Sequence, residues 1–326
     1  MAQLHCPKAS RQHGLTLVEL MVALALGLLI TLAAIAALTV SRQGFATVDA
    51  SAQLRDNARF ATTMIRRLVV QAGYLDTQYG ANTAAPSFKM GDASAPLAEP
   101  NIKGFNNATF DAALVTGTTN TVSSSKQGLN NSDLLVIRYQ VGTITKADGS
   151  QMSDQSMIDC RGNRPSDAPI KPTDRIVSVF YVDNSMGEPS LMCGWGTTDG
   201  IVGQQPIVEG VESLQILYGV TTGAIPTTSK EGVPERYMRA DQLVASTEAA
   251  TNANWENVRS IRIGMVLRGP PGSAPERNVP AQYPLGAKDL MNLTADAGST
   301  FAERSDGRLR HAVTFTIHLR NRQKLL

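Results

Sequence analysis

The stretch that decides the fold reads Gly14-Leu15-Thr16-Leu17-Val18-Glu19-Leu20-Met21. It opens an apolar run from Leu15 to Val40, 26 residues interrupted by one charge, Glu19. As a helix the run is about 39 Å long at 1.5 Å per residue, enough to span a bilayer core of roughly 30 Å. Before it lie Lys8 and Arg11 and no acid. The positive-inside bias therefore keeps the leader in the cytoplasm and sends the bulk of the chain out. An ordinary secretory signal has its small-residue cleavage site after the apolar stretch. Here the small residue, Gly14, precedes the run, although Ala33, Ala34, Ala36 and Ala37 leave the ordinary reading open. Glu19 is the anomaly. A carboxylate at the bilayer centre costs about 2.5–3.5 kcal/mol on insertion scales, and such residues usually have a partner.

Outward from the run, no Pro occurs between Arg42 and Gly73. Apolar residues recur there at helical spacing, at Ala58, Ala61, Ile65, Leu68 and Ala72, with Met64 and Val69 beside them. Arg55, Asp56, Arg59, Arg66 and Arg67 fall mainly on the other side, and Gly73 is placed as a C-cap. The pattern predicts one helix from about Leu15 to Ala72, roughly 87 Å long. Its first half is apolar on all faces and its second half amphipathic. Gly27 is a weak point, costing about 1 kcal/mol relative to Ala.

Gly14 followed by Leu-Thr-Leu-Val-Glu-Leu resembles the class III signal of type IV prepilins and type II secretion pseudopilins. The resemblance implies that a prepilin peptidase cuts between Gly14 and Leu15 and methylates the new amine of Leu15. It also implies that Glu19 pairs with the N-terminus of a neighbouring subunit during assembly. Major pilins often begin with Phe, so Leu15 is a departure. An uncleaved signal anchor on an unrelated exported domain, an enzyme or a binding protein, is the alternative, and it leaves Glu19 unexplained.

The remainder reads as one loop-rich body without internal repeats. Residues 75–130 are rich in Ala, Asn, Thr, Ser and Gly, which predicts an irregular connection with short strands at best. Strand patterns follow at 133–141, 175–182, 208–220, 258–268 and 309–320, and 175–182 is apolar enough to be buried on both faces. They are expected to pair antiparallel, with the long helix as cover. A short helix is expected within 241–257, ending near Trp255, and exposed loops at 221–232 and 269–284. The fold class is α+β, with the pilin plan implied by the resemblance. Its parts are a leader (1–14, removed), a transmembrane or filament-core helix (15–40), its amphipathic continuation (41–73) and a periplasmic head (74–326).

Three segments of the head, Val208 to Gly219, Trp255 to Ile263 and Asp306 to His311, resemble those of PilW-type minor pilins. That implies a low-abundance subunit of the bacterial inner membrane that joins other minor pilins and the major pilin. It would prime pilus assembly and twitching motility, with a place at the tip where an adhesin is carried. The J-class pseudopilin of type II secretion shares the helix and general plan and is the second reading.

The bulk chemistry fits a structural subunit. Hydrophobic residues make up 42% and charged residues 18%, values of a folded chain. The leader takes two of the 30 bases with it, leaving 28 against 28 acids, so charge gives no reason to expect a nucleic-acid partner. Cys6 lies in the leader. Cys160 and Cys193 remain, an even pair outside the cytosol and therefore expected as a disulfide worth roughly 3–4 kcal/mol in the chain-entropy model. Zinc is disfavoured, because no His lies near either and no CxxC is present. Of the histidines, His5 and His13 are in the leader, and His311 and His318 face opposite sides of the last strand. No phosphate-binding or nucleophile-elbow motif occurs. Asp183 to Glu188 offers oxygen ligands but lacks EF-hand spacing and reads as a turn. Catalytic residues, metal and cofactor are expected to be none.

Overall fold

The structure, a computed structural model, describes residues 14, 16–76, 99–117, 119–169, 174–221, 233–286 and 296–321. The leader before Gly14, Leu15 and most of the 221–232 loop lie outside the described residues.

Helix α1 runs Leu17–Gln71 without interruption. Thr16 starts it in an extended conformation, with Oγ1 accepting from the Glu19 N–H at 3.3 Å. Burial begins at Ala50 and continues at Leu54, Ala58, Ala61, Ile65, Leu68 and Val69. The three-and-four spacing is the stripe expected from the sequence, begun two turns earlier because Ala50 and Leu54 also face the head. Ile65 and Leu68 are fully buried, each worth roughly 1.5–3 kcal/mol relative to exposure. The helix ends as Ala72 turns extended and Gly73 takes φ +72°. The Asn321 side chain donates to the carbonyls of Val70, Gln71 and Ala72 at 3.3, 3.4 and 3.0 Å, satisfying groups the last turn leaves without intrahelical partners.

The head contains β1 (Ile102–Phe105), α2 (Ala112–Val115), β2 (Leu134–Tyr139), β3 (Thr143–Thr145), β4 (Gln151–Ser153), β5 (Ile176–Ser185), β6 (Glu188–Thr197), β7 (Gly200–Glu209), β8 (Val211–Val220), β9 (Arg236–Met238), α3 (Glu248–Glu256), β10 (Val258–Arg268) and β11 (Arg310–His318). They form two main antiparallel sheets, ordered β1-β2-β5-β6-β7 and β11-β10-β8-β9, beside a small β3-β4 hairpin.

The structure divides what the sequence suggested was one strand over 208–220. The break is Gly210, at φ +81°, where a Cβ would sit 2.7 Å from the Arg268 carbonyl oxygen. There the chain leaves the five-stranded sheet and enters the four-stranded one. Strands β6 and most of β7 went unpredicted, since Pro189, Pro206 and several glycines break their β pattern. Pairing makes them strands. The Met186-Gly187 turn, with φ of 52° and 86°, closes a hairpin whose register runs Ser185↔Glu188 to Ile176↔Thr197. Asp183 to Glu188 is the end of that hairpin.

Two cores result. The α1 stripe packs with Ile137, Phe180, Leu191, Ile216, Ile263 and their neighbours from both sheets. The opposite face of the five-stranded sheet buries Val136, Val177, Val179 and Tyr181 under Phe105, Leu114 and Val115. This second core explains the continuous apolar run of β5. Residues 99–130 hold a short strand, β1, as expected, and a short helix, α2, which the sequence did not suggest.

Candidate assembly site

The N-terminal end of α1 presents three kinds of surface. At its tip, Gly14 is exposed, and a Cβ built on it would meet nothing within 4 Å. Nothing in the described chain therefore requires glycine at that position. Glu19 occupies the first turn, where the unpaired N–H groups make the positive end of the helix dipole and favour a carboxylate. Its own N–H is held by Thr16, and the Leu20 N–H donates to the Thr16 carbonyl at 3.1 Å. The Glu19 carboxylate is exposed.

Behind this tip, every side chain from Leu17 to Ala46 is exposed. This is roughly 45 Å of helix at 1.5 Å per residue. Leu17 is 75% exposed, Ile30 69% and Phe45 74%, far beyond what a soluble monomer leaves uncovered. α1 is long and apolar enough to cross a membrane. Chemically the surface can be covered by lipid or by other apolar helices, and Glu19 is the one acidic or basic residue between Leu17 and Val40.

In the head, Cys160 and Cys193 are joined as a disulfide with Cα atoms 5.8 Å apart. Both are buried, and the Cys160 N–H donates to Ser178 Oγ at 3.2 Å. The bridge ties the segment after β4 to the middle of β6. Beside it Arg161 pairs with Asp159 at 2.6 Å and stacks 4.2 Å from the Trp195 ring centre.

Sequence reasoning did not find the ion-pair network at the Gly210 corner. Glu188 accepts from Arg268 at 2.6 Å and from Arg308 at 3.1 Å. Glu212 accepts from Arg310 at 2.7 Å and Arg268 at 3.2 Å, and Arg310 also pairs with Asp306 at 2.7 Å. Arg308 and Arg268 hold the Glu188 carboxyl below its usual range, and Arg310 holds that of Asp306 far below. The partners come from four separated segments, so no local spacing could reveal them. His311 and His318 stand exposed near the two ends of β11, opposite Leu267 and Ser260, and are not brought together.

The family model for the prokaryotic N-terminal methylation motif matches residues 9–35. The model for type IV pilus-assembly protein W matches residues 179–321, from β5 through β11. No curated protein matches the chain. Among solved structures, a type IV-like pilin from Thermus thermophilus is similar at 12% identity and a TM-score of 0.39, covering 83% of this chain and 98% of that one.

Proposed function

We propose that this chain, which belongs to the type IV pilins of the PilW type, is a minor subunit that primes pilus assembly and enters a tip complex with other minor pilins and an adhesin. The observation that carries the reading is the exposed apolar half of α1 with Glu19 in its first turn, on a chain whose head matches the PilW model. In this reading the protein waits in the inner membrane as a single-pass precursor with its head in the periplasm. Prepilin peptidase cuts between Gly14 and Leu15 and methylates Leu15. The amine of a neighbouring subunit then neutralises Glu19. That pairing removes the cost of leaving the carboxylate at the edge of an apolar phase and sets the axial register between subunits.

Deletion of the gene, with surface pili counted by electron microscopy and enzyme secretion assayed in the same strain, tests the role. Loss of pili with secretion intact is expected. Intact pili and twitching with lost secretion would instead identify a J-class pseudopilin.

A further inference from the structure

Where α1 meets the head, its two flanks carry opposite charge. Arg55 and Arg59 are exposed on one flank, and Asp49 and Asp56 are exposed toward the other. At 3.6 residues per turn the arginines lie about 100–140° round from the buried stripe that begins at Ala50, and the carboxylates about 140–160° round in the opposite direction. None of the four forms an ion pair among the described residues. Arg55 and Arg59 are a like-charged i, i+4 pair, which disfavours the helix unless an outside group compensates it. Exposed apolar side chains accompany them. Val48, 68% exposed, is on the arginine flank, and Phe45, 74% exposed, is on the line farthest from the head. The patch is continuous with the uncovered surface from Leu17 to Ala46. Like flanks facing would put arginine on arginine, so two copies fit only with unlike flanks together, a head-to-tail contact.

We propose that a second copy of this chain packs its α1 parallel to the first, shifted by about one helical turn, so that Arg55 and Arg59 of one copy meet Asp49 and Asp56 of the other. This rests on Glu19 pairing with the neighbour's Leu15 amine, which levels residue 15 of the second copy with residue 19 of the first, a shift of about 6 Å. Arg59 then stands at the level of residue 55 in the second copy, next to Asp56. Arg55 stands at the level of residue 51, about 3 Å along the axis from Asp49. Val48 stands at the level of residue 44, beside Phe45. The direction agrees with the height. Glu19 and Arg55 are about ten full turns apart on an uninterrupted helix, so the copy that reaches Glu19 also faces Arg55. Of the other helix cations, Arg66 lies 5.8 Å from the Phe315 ring of its own head. Arg42 and Arg67 stand about 10 Å below Asp49 and about 16 Å above Asp56. The assembly unit therefore contains at least two adjacent copies of this subunit.

The test expresses two differently tagged full chains together, each with Cys6→Ser and the native disulfide, and oxidises whole cells with copper phenanthroline. One copy carries Val48→Cys and the other Phe45→Cys, which leaves all four charges in place. The 48–45 bond between tags is expected to form several-fold more than the 48–48 or 45–45 bond. Arg55→Glu with Arg59→Glu in the Val48→Cys copy should cut it several-fold, and Asp49→Lys with Asp56→Lys in the other copy should restore it. A yield indifferent to these reversals would overturn the charged contact. Ala23→Cys in one copy with Leu20→Cys in the other reports the register set by the Glu19 amine pairing alone. A 23–20 bond without the 48–45 bond would overturn the charged contact and leave the amine pairing standing. A 48–45 bond without the 23–20 bond would overturn the shared register. Absence of both bonds would overturn both pairings between copies of this chain.

Discussion

The side-chain amide of Gln71 mimics a strand for Ile158. Its Nε2 donates to the Ile158 carbonyl at 2.9 Å, and its Oε1 accepts from the Ile158 N–H at 3.0 Å, with the Gln71 side chain buried. This pair joins the last turn of α1 to the segment that leads into Cys160, so the helix, the disulfide and β6 form one mechanical unit.

Replacing Gln71 by Leu keeps the volume but leaves the Ile158 N–H buried without its partner. A loss of about 1–3 kcal/mol is expected, read as a lower urea midpoint of the full chain in detergent. An unchanged midpoint would mean that the pair is replaced at no cost.

The disulfide contributes separately. Cys160→Ala with Cys193→Ala is expected to cost roughly 2–5 kcal/mol, the range for removal of a native bridge from an exported domain. Peptide mapping under non-reducing conditions is the direct check. Recovery of both cysteines as free thiols from the exported protein would refute the bridge.

Acid should act through the corner network. Asp306 and Glu188 have carboxyls held below their ordinary values by Arg310, Arg308 and Arg268. Their folded form therefore binds a proton less readily than the unfolded chain. The stability they contribute is fully present above the ordinary carboxylate range, near pH 4, and is lost as pH falls through the lower folded values. Asp306→Asn should flatten the acid limb of a stability-against-pH curve below about pH 4, measured by thermal melting. A wild-type acid slope in that variant would assign the limb to other groups.

Much of this fold is legible in the sequence where a single element carries its own period. The helix stripe from Ala58 to Ala72 and the strands β8, β10 and β11 repeat at 3.6 or 2 residues, and each appears at its expected place. What was hidden depends on partners far along the chain. β6 and β7 contain glycines and prolines and exist because β5 templates β6 and β6 in turn templates β7. Gly210 marks a change of sheet that only the approach of the Arg268 carbonyl reveals. At the assembly tip the chemistry is legible because it is local: Thr16 and Glu19 lie three residues apart. The ion-pair corner joins Glu188, Glu212, Arg268 and Arg308 across separations of 56 to 120 residues, and no spacing announces it.

The assembly tip yields two separable outcomes. Gly14 has open space around it, so a larger residue there should leave the described fold unchanged and act only on recognition by the peptidase. Gly14 replaced by Val should accumulate as precursor in the membrane, seen as a mass still carrying the leader. Glu19→Ala should be cut and methylated at Leu15 and should enter the membrane more readily, since an uncompensated carboxylate has been removed. It should nevertheless fail to enter filaments, because the neighbour's amine has lost its partner. Sheared pili probed for this subunit, together with the mass of the membrane pool, separate the two defects. Wild-type incorporation of Glu19→Ala would show that the ion pair does not set the register, and assembly would then rest on apolar helix packing alone.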